Sequence, residues 1–115
     1  MRTIIAGSRD LTDVKLVESH INSCPWIAEI SSVLDGGATG VDAIGKQWAL
    51  NYSIPVVSFP ADWTKYGKKA GSIRNAQMAM NADALICIHR GTPGSRDMLK
   101  KAAQAKLRVF SVYLH

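Results

Sequence analysis

With 115 residues the chain has the length of one domain, 1–115, and a chain of that size can bury about two-thirds of its surface around a single core. Fourteen basic against nine acidic residues leave a net charge of +5, which favours a phosphate-bearing partner without separating nucleotide from nucleic acid. Two distant cysteines, Cys24 and Cys87, exclude a disulfide frame or zinc site, and charge interrupts every apolar run before signal-peptide or membrane-span length, so a soluble cytoplasmic protein with no membrane partner is expected.

The first apolar run, TIIAG at 3–7, predicts a strand, and 12–23 predicts a helix capped by Thr12 or Asp13. Between them lies GSRD. Gly7 allows close backbone approach, and Ser8 and Arg9 offer a hydroxyl and a planar cationic fork suited to phosphate or carboxylate; a plain turn with a surface arginine accounts for the same residues. ISSVLDG at 30–36 predicts the second strand and leads through DGGATGVD to a helix near 40–52. Gly36, Gly37 and Gly40 can turn successive amides toward one anion, although a tight turn explains the glycines as well and leaves only Asp42 unexplained. The loop is neither a Walker phosphate loop nor a Gly-x-Gly-x-x-Gly fingerprint.

IPVVSF at 54–59 predicts the third strand. The connector ADWTKYGKKAGSIRN, 61–75, is long for a compact domain, and such connectors tend to be functional. Trp63 and Tyr66 either stack on a base or anchor the loop, and Lys68 or Lys69 can close over an anion. Gly71 and Ser72 open a helix near 71–82, so that Arg74 and Asn75 fall in its first turn. An arginine there opposes the helix dipole, and a local rule broken without visible compensation points to a site. ALICIH at 84–89 predicts the fourth strand, with His89 an ordinary strand-end residue. Gly91, Thr92, Gly94 and Ser95 then form a glycine and hydroxyl cradle opening a helix near 95–106, with Arg96 and Asp97 in its first turn, and LRVFSVY at 107–113 predicts the fifth strand.

This alternation predicts an α/β protein: a Rossmann-like three-layer α/β/α fold with a parallel sheet of about five strands in the order 3-2-1-4-5, its strands covered on both faces. Ligands in this architecture bind beyond the carboxyl ends of the strands at the switch point, where GSRD and GTPGSRD converge.

Together GSRD, GGATGVDAIGKQWA, FPADWTKYGKKAGSIRNAQMA and GTPGSRDM resemble the YspA-type branch of the SLOG superfamily over nearly the whole chain. The ADW, YGK, AG and RN positions of the connector are the most specific part. The superfamily also contains the cytokinin-activating phosphoribohydrolases and the DNA-binding protein DprA. The resemblance implies a nucleotide or nucleotide-derived ligand in that crevice and pairing into homo-oligomers. Its polar motif residues fall on Gly7, Ser8, Arg9, Gly36, Gly37, Gly40, Asp42, Asp62, Trp63, Gly67, Lys68, Gly71, Arg74 and Asn75, and on Ser95, Arg96 and Asp97. The glutamate of the phosphoribohydrolase motif has no counterpart, because the only glutamates are Glu18 and Glu29. Asp42 or Asp97 would have to substitute for it.

Three functions follow as expectations. The first is a ligand sensor or sequestering protein for a cyclic-nucleotide or ADP-ribose type of signal, fitting a phage anti-defence role. The second is an enzyme cleaving a nucleotide N-glycosidic bond, with Asp42 or Asp97 as catalytic carboxylate. The third is nucleic-acid binding through Lys100, Lys101, Lys106 and Arg108, ranked last because no aromatic ladder accompanies them. No cofactor or metal is expected.

Overall fold

In the computed structural model, which describes residues 1–115, the apolar runs become β1 (Arg2–Gly7), β2 (Ser32–Asp35), β3 (Val56–Ser58), β4 (Ala84–His89) and β5 (Arg108–Tyr113). Between them stand α1 (Val14–Asn22), α2 (Val41–Asn51), α3 (Trp63–Tyr66), α4 (Ala70–Met80) and α5 (Pro93–Gln104), with short 3-10 turns at Ile27–Glu29 and Gly67–Lys69. All strand pairings are parallel, in the order β3-β2-β1-β4-β5. The switch point falls between β1 and β4, where Ile5 faces Ile86 and Gly7 faces Ile88.

Successive β1 residues point to opposite faces of the sheet and so enter two separate cores. Ile5 packs with Val17 and Ile21 of α1 and with Val41 and Trp48 of α2. Ile4 packs with Met78 of α4 and with Met98 and Ala102 of α5. The spacing Val17/Ile21 and Met98/Ala102 is one helical turn, which is how each short helix buries a single stripe. Each fully buried Ile, Leu or Met contributes roughly 1.5–3 kcal/mol through burial. Asp13 caps α1, its Oδ1 accepting the Leu16 N–H at 3.2 Å. No helix is long and apolar enough to cross a membrane.

Three expectations need correction. Coverage on both faces holds for β1, β2 and β4 but not for β3 and β5, which form the sheet edges and leave Val57, Val109 and Tyr113 exposed. Helices packed mainly over the middle strands leave both edges only partly covered. The connector is not structureless: Asp62 accepts the Lys65 N–H at 3.0 Å and starts α3, and the following 3-10 turn runs directly into α4. Helix α4 therefore begins at Ala70, and Arg74 and Asn75 lie in its second turn, not its first. Helix α5 begins at Pro93, two residues earlier than expected, because proline is already set for the first helical position; Asp97 moves out of the first turn.

Candidate functional site

A crevice of about 410 Å³ opens at the carboxyl edge of the sheet, at the switch point. Gly7 and Arg9 line it from the exit of β1, Thr92, Gly94 and Ser95 from the start of α5, Arg74 and Asn75 from α4, and Asp42 from α2. A line of hydroxyls stitches the two strand exits together. Ser8 Oγ accepts the Arg90 N–H at 2.9 Å and lies 3.3 Å from Thr92 Oγ1, which lies 2.8 Å from Ser95 Oγ. Ser8 and Ser95 are buried, so these bonds satisfy groups that water does not reach.

The glycine loop does something other than its composition suggests. The Gly36 N–H donates to Asp42 Oδ2 at 3.2 Å, and the Gly37 N–H donates to Asp35 Oδ2 at 2.9 Å. Asp35, also buried, accepts a second bond from Ser58 Oγ at 2.5 Å. Two of the three amides expected to cradle an external anion, those of Gly36 and Gly37, are thus occupied by the protein's own carboxylates. Gly40 holds φ at 71°, and a Cβ there would stand 2.5 Å from the Ser8 carbonyl oxygen, so this glycine lets the loop lie directly on the exit of β1. Burial lifts the Asp42 carboxyl from its usual 3.8 to about 6, even though Arg74 and the amides of Ala38 and Gly36 favour the charged form.

Arg74 is fixed at two points. Its Nη1 donates to the Gly36 carbonyl, and its Nε donates to Asn75 Oδ1 at 3.0 Å. Asn75 shares the buried stripe of α4 with Met78, which turns its amide toward α5. There Asn75 Nδ2 donates to Asp97 Oδ2 at 2.9 Å, while Lys101 Nζ and Ser72 Oγ donate to Asp97 Oδ1 at 2.7 and 3.2 Å. Burial raises the Asp97 carboxyl, but the bonds from Lys101, Asn75 and Ser72 outweigh it and hold the group below its ordinary range. Asp97 does not line the crevice, and its oxygens are committed to these donors, so its geometry suits anchoring α4 to α5 better than proton transfer.

Asp97→Asn is expected to cost about 1–3 kcal/mol at neutral pH, by leaving Lys101 unpaired and Asn75 without an anion. A carboxyl with a depressed folded value contributes stability above its unfolded value and loses it as pH falls through the folded one, so the deficit should shrink below about pH 4. Urea denaturation at several pH values reads both the deficit and its slope; a deficit that does not change with pH would contradict this role.

The basic set proposed for nucleic acid is also redistributed. Lys101 is paired with Asp97, and the Arg108 guanidinium lies 4.7 Å over the Trp26 ring. His89 finds partners that the sequence did not supply: Nδ1 accepts the Gly91 N–H at 3.0 Å, and Nε2 lies 3.2 Å from Ser111 Oγ. Burial, with Arg96 nearby, lowers its pKa, and the neutral ring shapes the turn into α5. Cys87 is buried and its thiol is pushed up to about 12, so it supplies no nucleophile.

A second crevice of about 350 Å³ adjoins the first and is lined by Gly36, Gly37, Trp63 and Pro60 together with Arg9, Ala38 and Arg74. Trp63 is 54% exposed, so it is not buried in the core; its ring lies across Gly71, with a Cβ built there 3.5 Å from the indole edge. Tyr66 faces a smaller hollow of about 200 Å³ shared with Arg74 and carries Lys65 Nζ 5.1 Å from its ring centre. Lys68 is exposed and lines neither crevice, and the same two crevices exclude Arg96, which lies beside Gly91. Gly40 and Gly71 act on neighbouring backbone and ring rather than as walls. Sequence reasoning missed Asp10, Ala38, Met78 and Met98 in the first crevice. Met78 and Met98 did carry a signal, each three residues after a predicted site residue, Asn75 and Ser95, on one helical face, and Asp10 directly follows Arg9.

The family model described as the YspA, cpYpsA-related SLOG family matches residues 1–66. The Gene 61 protein of Mycobacterium phage D29 is 33% identical over 121 residues, spanning 96% of this chain and 94% of that protein. The X-ray structure of DNA processing protein A, DprA, from Streptococcus pneumoniae matches with a TM-score of 0.77 at 17% identity, over 99% of this chain and 50% of that one. The chain thus spans about half the length of DprA, and the likeness at this identity is one of fold.

Proposed function

The chain belongs to the YspA, cpYpsA-related SLOG family, and from that premise we propose that it binds a nucleotide or nucleotide-derived small molecule at the carboxyl edge of its sheet, as a sensor or sequestering protein. One observation carries the reading. Two guanidinium groups, Arg9 without any hydrogen bond or ion pair of its side chain and Arg74 pinned in place, stand beside a crevice with Met78 and Met98 among its walls. A planar cation fork next to apolar surface is the combination a phosphate joined to a ring system requires. The similarity to a phage protein supports a phage context, in which sequestration of a nucleotide signal is the role we propose.

Titration calorimetry against nucleosides and their 5′-phosphates tests the reading. Nucleotides should bind, nucleosides should bind far more weakly, and Arg9→Ala should weaken nucleotide binding about 10-fold or more through loss of a charge-assisted bond. Absence of binding by every nucleotide, ADP-ribose and cyclic dinucleotides included, would overturn it.

A second reading is favoured by Asp42, a crevice carboxyl with a pKa of about 6, suited to exchange a proton near neutrality in N-glycosidic cleavage. Incubation followed by chromatography separates the two. Release of free base that Asp42→Asn abolishes would establish the enzyme, and quantitative recovery of intact ligand would exclude it for that ligand.

A further inference from the structure

The two crevices differ in chemistry yet meet on the same cations. Both are lined by Arg9, Ala38 and Arg74. Only the first adds carboxylates, Asp10 and Asp42, and it adds the thioether side chains of Met78 and Met98; the second has no carboxylate and is walled by the Trp63 ring. Carboxylates beside a cation suit a sugar diol, and an exposed indole suits the face of a flat ring. At about 410 and 350 Å³ each crevice is near the lower end of the roughly 300–1,000 Å³ of small-molecule pockets, which leaves room for one ring-bearing unit apiece.

The junction is built rather than incidental. Arg74 cannot swing away without breaking its bonds to Gly36 and Asn75, and the Asn75 amide is itself held by Asp97. Trp63 is the first residue of a helix started by Asp62, and its ring edge rests on Gly71, so its exposed face is presented from a braced position. Leaving so large an apolar residue 54% exposed forgoes burial that the fold elsewhere exploits.

We propose that the site accepts a ligand of two ring-bearing units joined through phosphate: a ribosyl unit in the first crevice, the bridging phosphate between Arg9 and Arg74, and the second ring on Trp63. This rests on the nucleotide-binding reading above and adds the size and division of the ligand to it. The bridge rather than either ring meets both arginines, so a mononucleotide can satisfy the cations but leaves one crevice empty.

Calorimetry with AMP, GMP, diadenosine 5′,5′-diphosphate and its guanosine counterpart tests it on the intact chain. At least one two-unit compound should bind about 10-fold more tightly than its mononucleotide, from the added stacking. Trp63→Ala should weaken the two-unit compound about 5- to 150-fold and leave the mononucleotide within about 2-fold, and Trp63→Phe should restore most of the loss. Thermal melts of both variants, whose substituted side chain is exposed, should stay close to the parent. Mononucleotides binding as tightly as two-unit compounds, or Trp63→Ala weakening both equally, would overturn the division while leaving nucleotide binding intact. Affinity that keeps rising with the length of a single-stranded oligonucleotide would overturn it in favour of a polymer. Failure of every compound to bind would remove the underlying reading as well.

Discussion

Gly7→Ala is expected to destabilise the protein by about 4 kcal/mol or more, a loss that removes most of the stability of a domain at the low end of the usual range of about 5–15 kcal/mol. Gly7 is the last residue of β1 and pairs with Ile88 of β4. A Cβ on Gly7 would stand 2.9 Å from both the Ile88 carbonyl carbon and Val41 Cβ, and closer still to the Ile88 carbonyl oxygen. Backbone on one side and a buried helix on the other leave nothing flexible to yield. Relief requires parting β1 from β4, which would also break the Ser8 N–H to Ile88 carbonyl bond of 3.2 Å. Gly94 provides the control: an added Cβ there meets nothing within 4 Å, and its φ is not positive. Gly94→Ala inside α5 should be neutral or stabilise by up to about 1 kcal/mol. Urea denaturation of the two variants settles it, and a Gly7→Ala protein within about 1 kcal/mol of the parent would refute the steric account.

The second large effect is a pH dependence of unusual sign. The Asp42 carboxyl is raised from 3.8 to about 6 in the folded chain, chiefly by burial. Between those values the folded state binds the proton that the unfolded state has released. Stability from this group is therefore fully present below about pH 4 and is lost as pH rises through about 6, by roughly 2–3 kcal/mol. Asp97, with its depressed value, acts oppositely and loses its contribution only in stronger acid. The two together favour a stability maximum on the mildly acidic side of neutrality. Asp42→Asn should remove the dependence between about pH 4 and 6. At pH 7 the amide relieves the buried charge but turns a donor toward an N–H that the carboxylate had satisfied, so the net change there should be small, within about 1–2 kcal/mol. Parallel slopes for parent and variant across that range would show that Asp42 is ionised throughout.

The order of the strands was legible because each apolar run is short, β-branched and separated by one helix-sized interval, and crossover handedness leaves few arrangements. What escaped the sequence was coverage at the edges, since VVS in β3 and RVFSVY in β5 carry the same residue types as interior strands. Helix starts slipped where proline, or a preceding 3-10 turn, took over from a side-chain cap. Around the crevice, Gly7, Arg9, Arg74 and Ser95 were placed near one another by topology alone. The fate of the loop amides was not legible, because whether an N–H faces outward or meets Asp42 depends on backbone angles that glycine leaves open. The Lys101 to Asp97 pair did have a signal, the four-residue helical spacing, which outranks a diffuse basic face.

The hydroxyl line from Ser8 through Thr92 to Ser95 has no fixed polarity, because each of the two inner contacts allows either oxygen to donate. The Arg90 amide occupies one lone pair of Ser8 without deciding where the Ser8 hydrogen goes. Rotation of three O–H bonds therefore reverses the whole line without moving a heavy atom, at the cost of taking the buried Ser8 hydrogen off its Thr92 acceptor. In one sense Ser95, on the crevice wall, has a hydrogen free for an oxygen anion; in the other it offers lone pairs to an amine or a sugar hydroxyl. The wall is thus amphoteric as a hydrogen-bonding surface, while the carbon framework that carries it stays rigid.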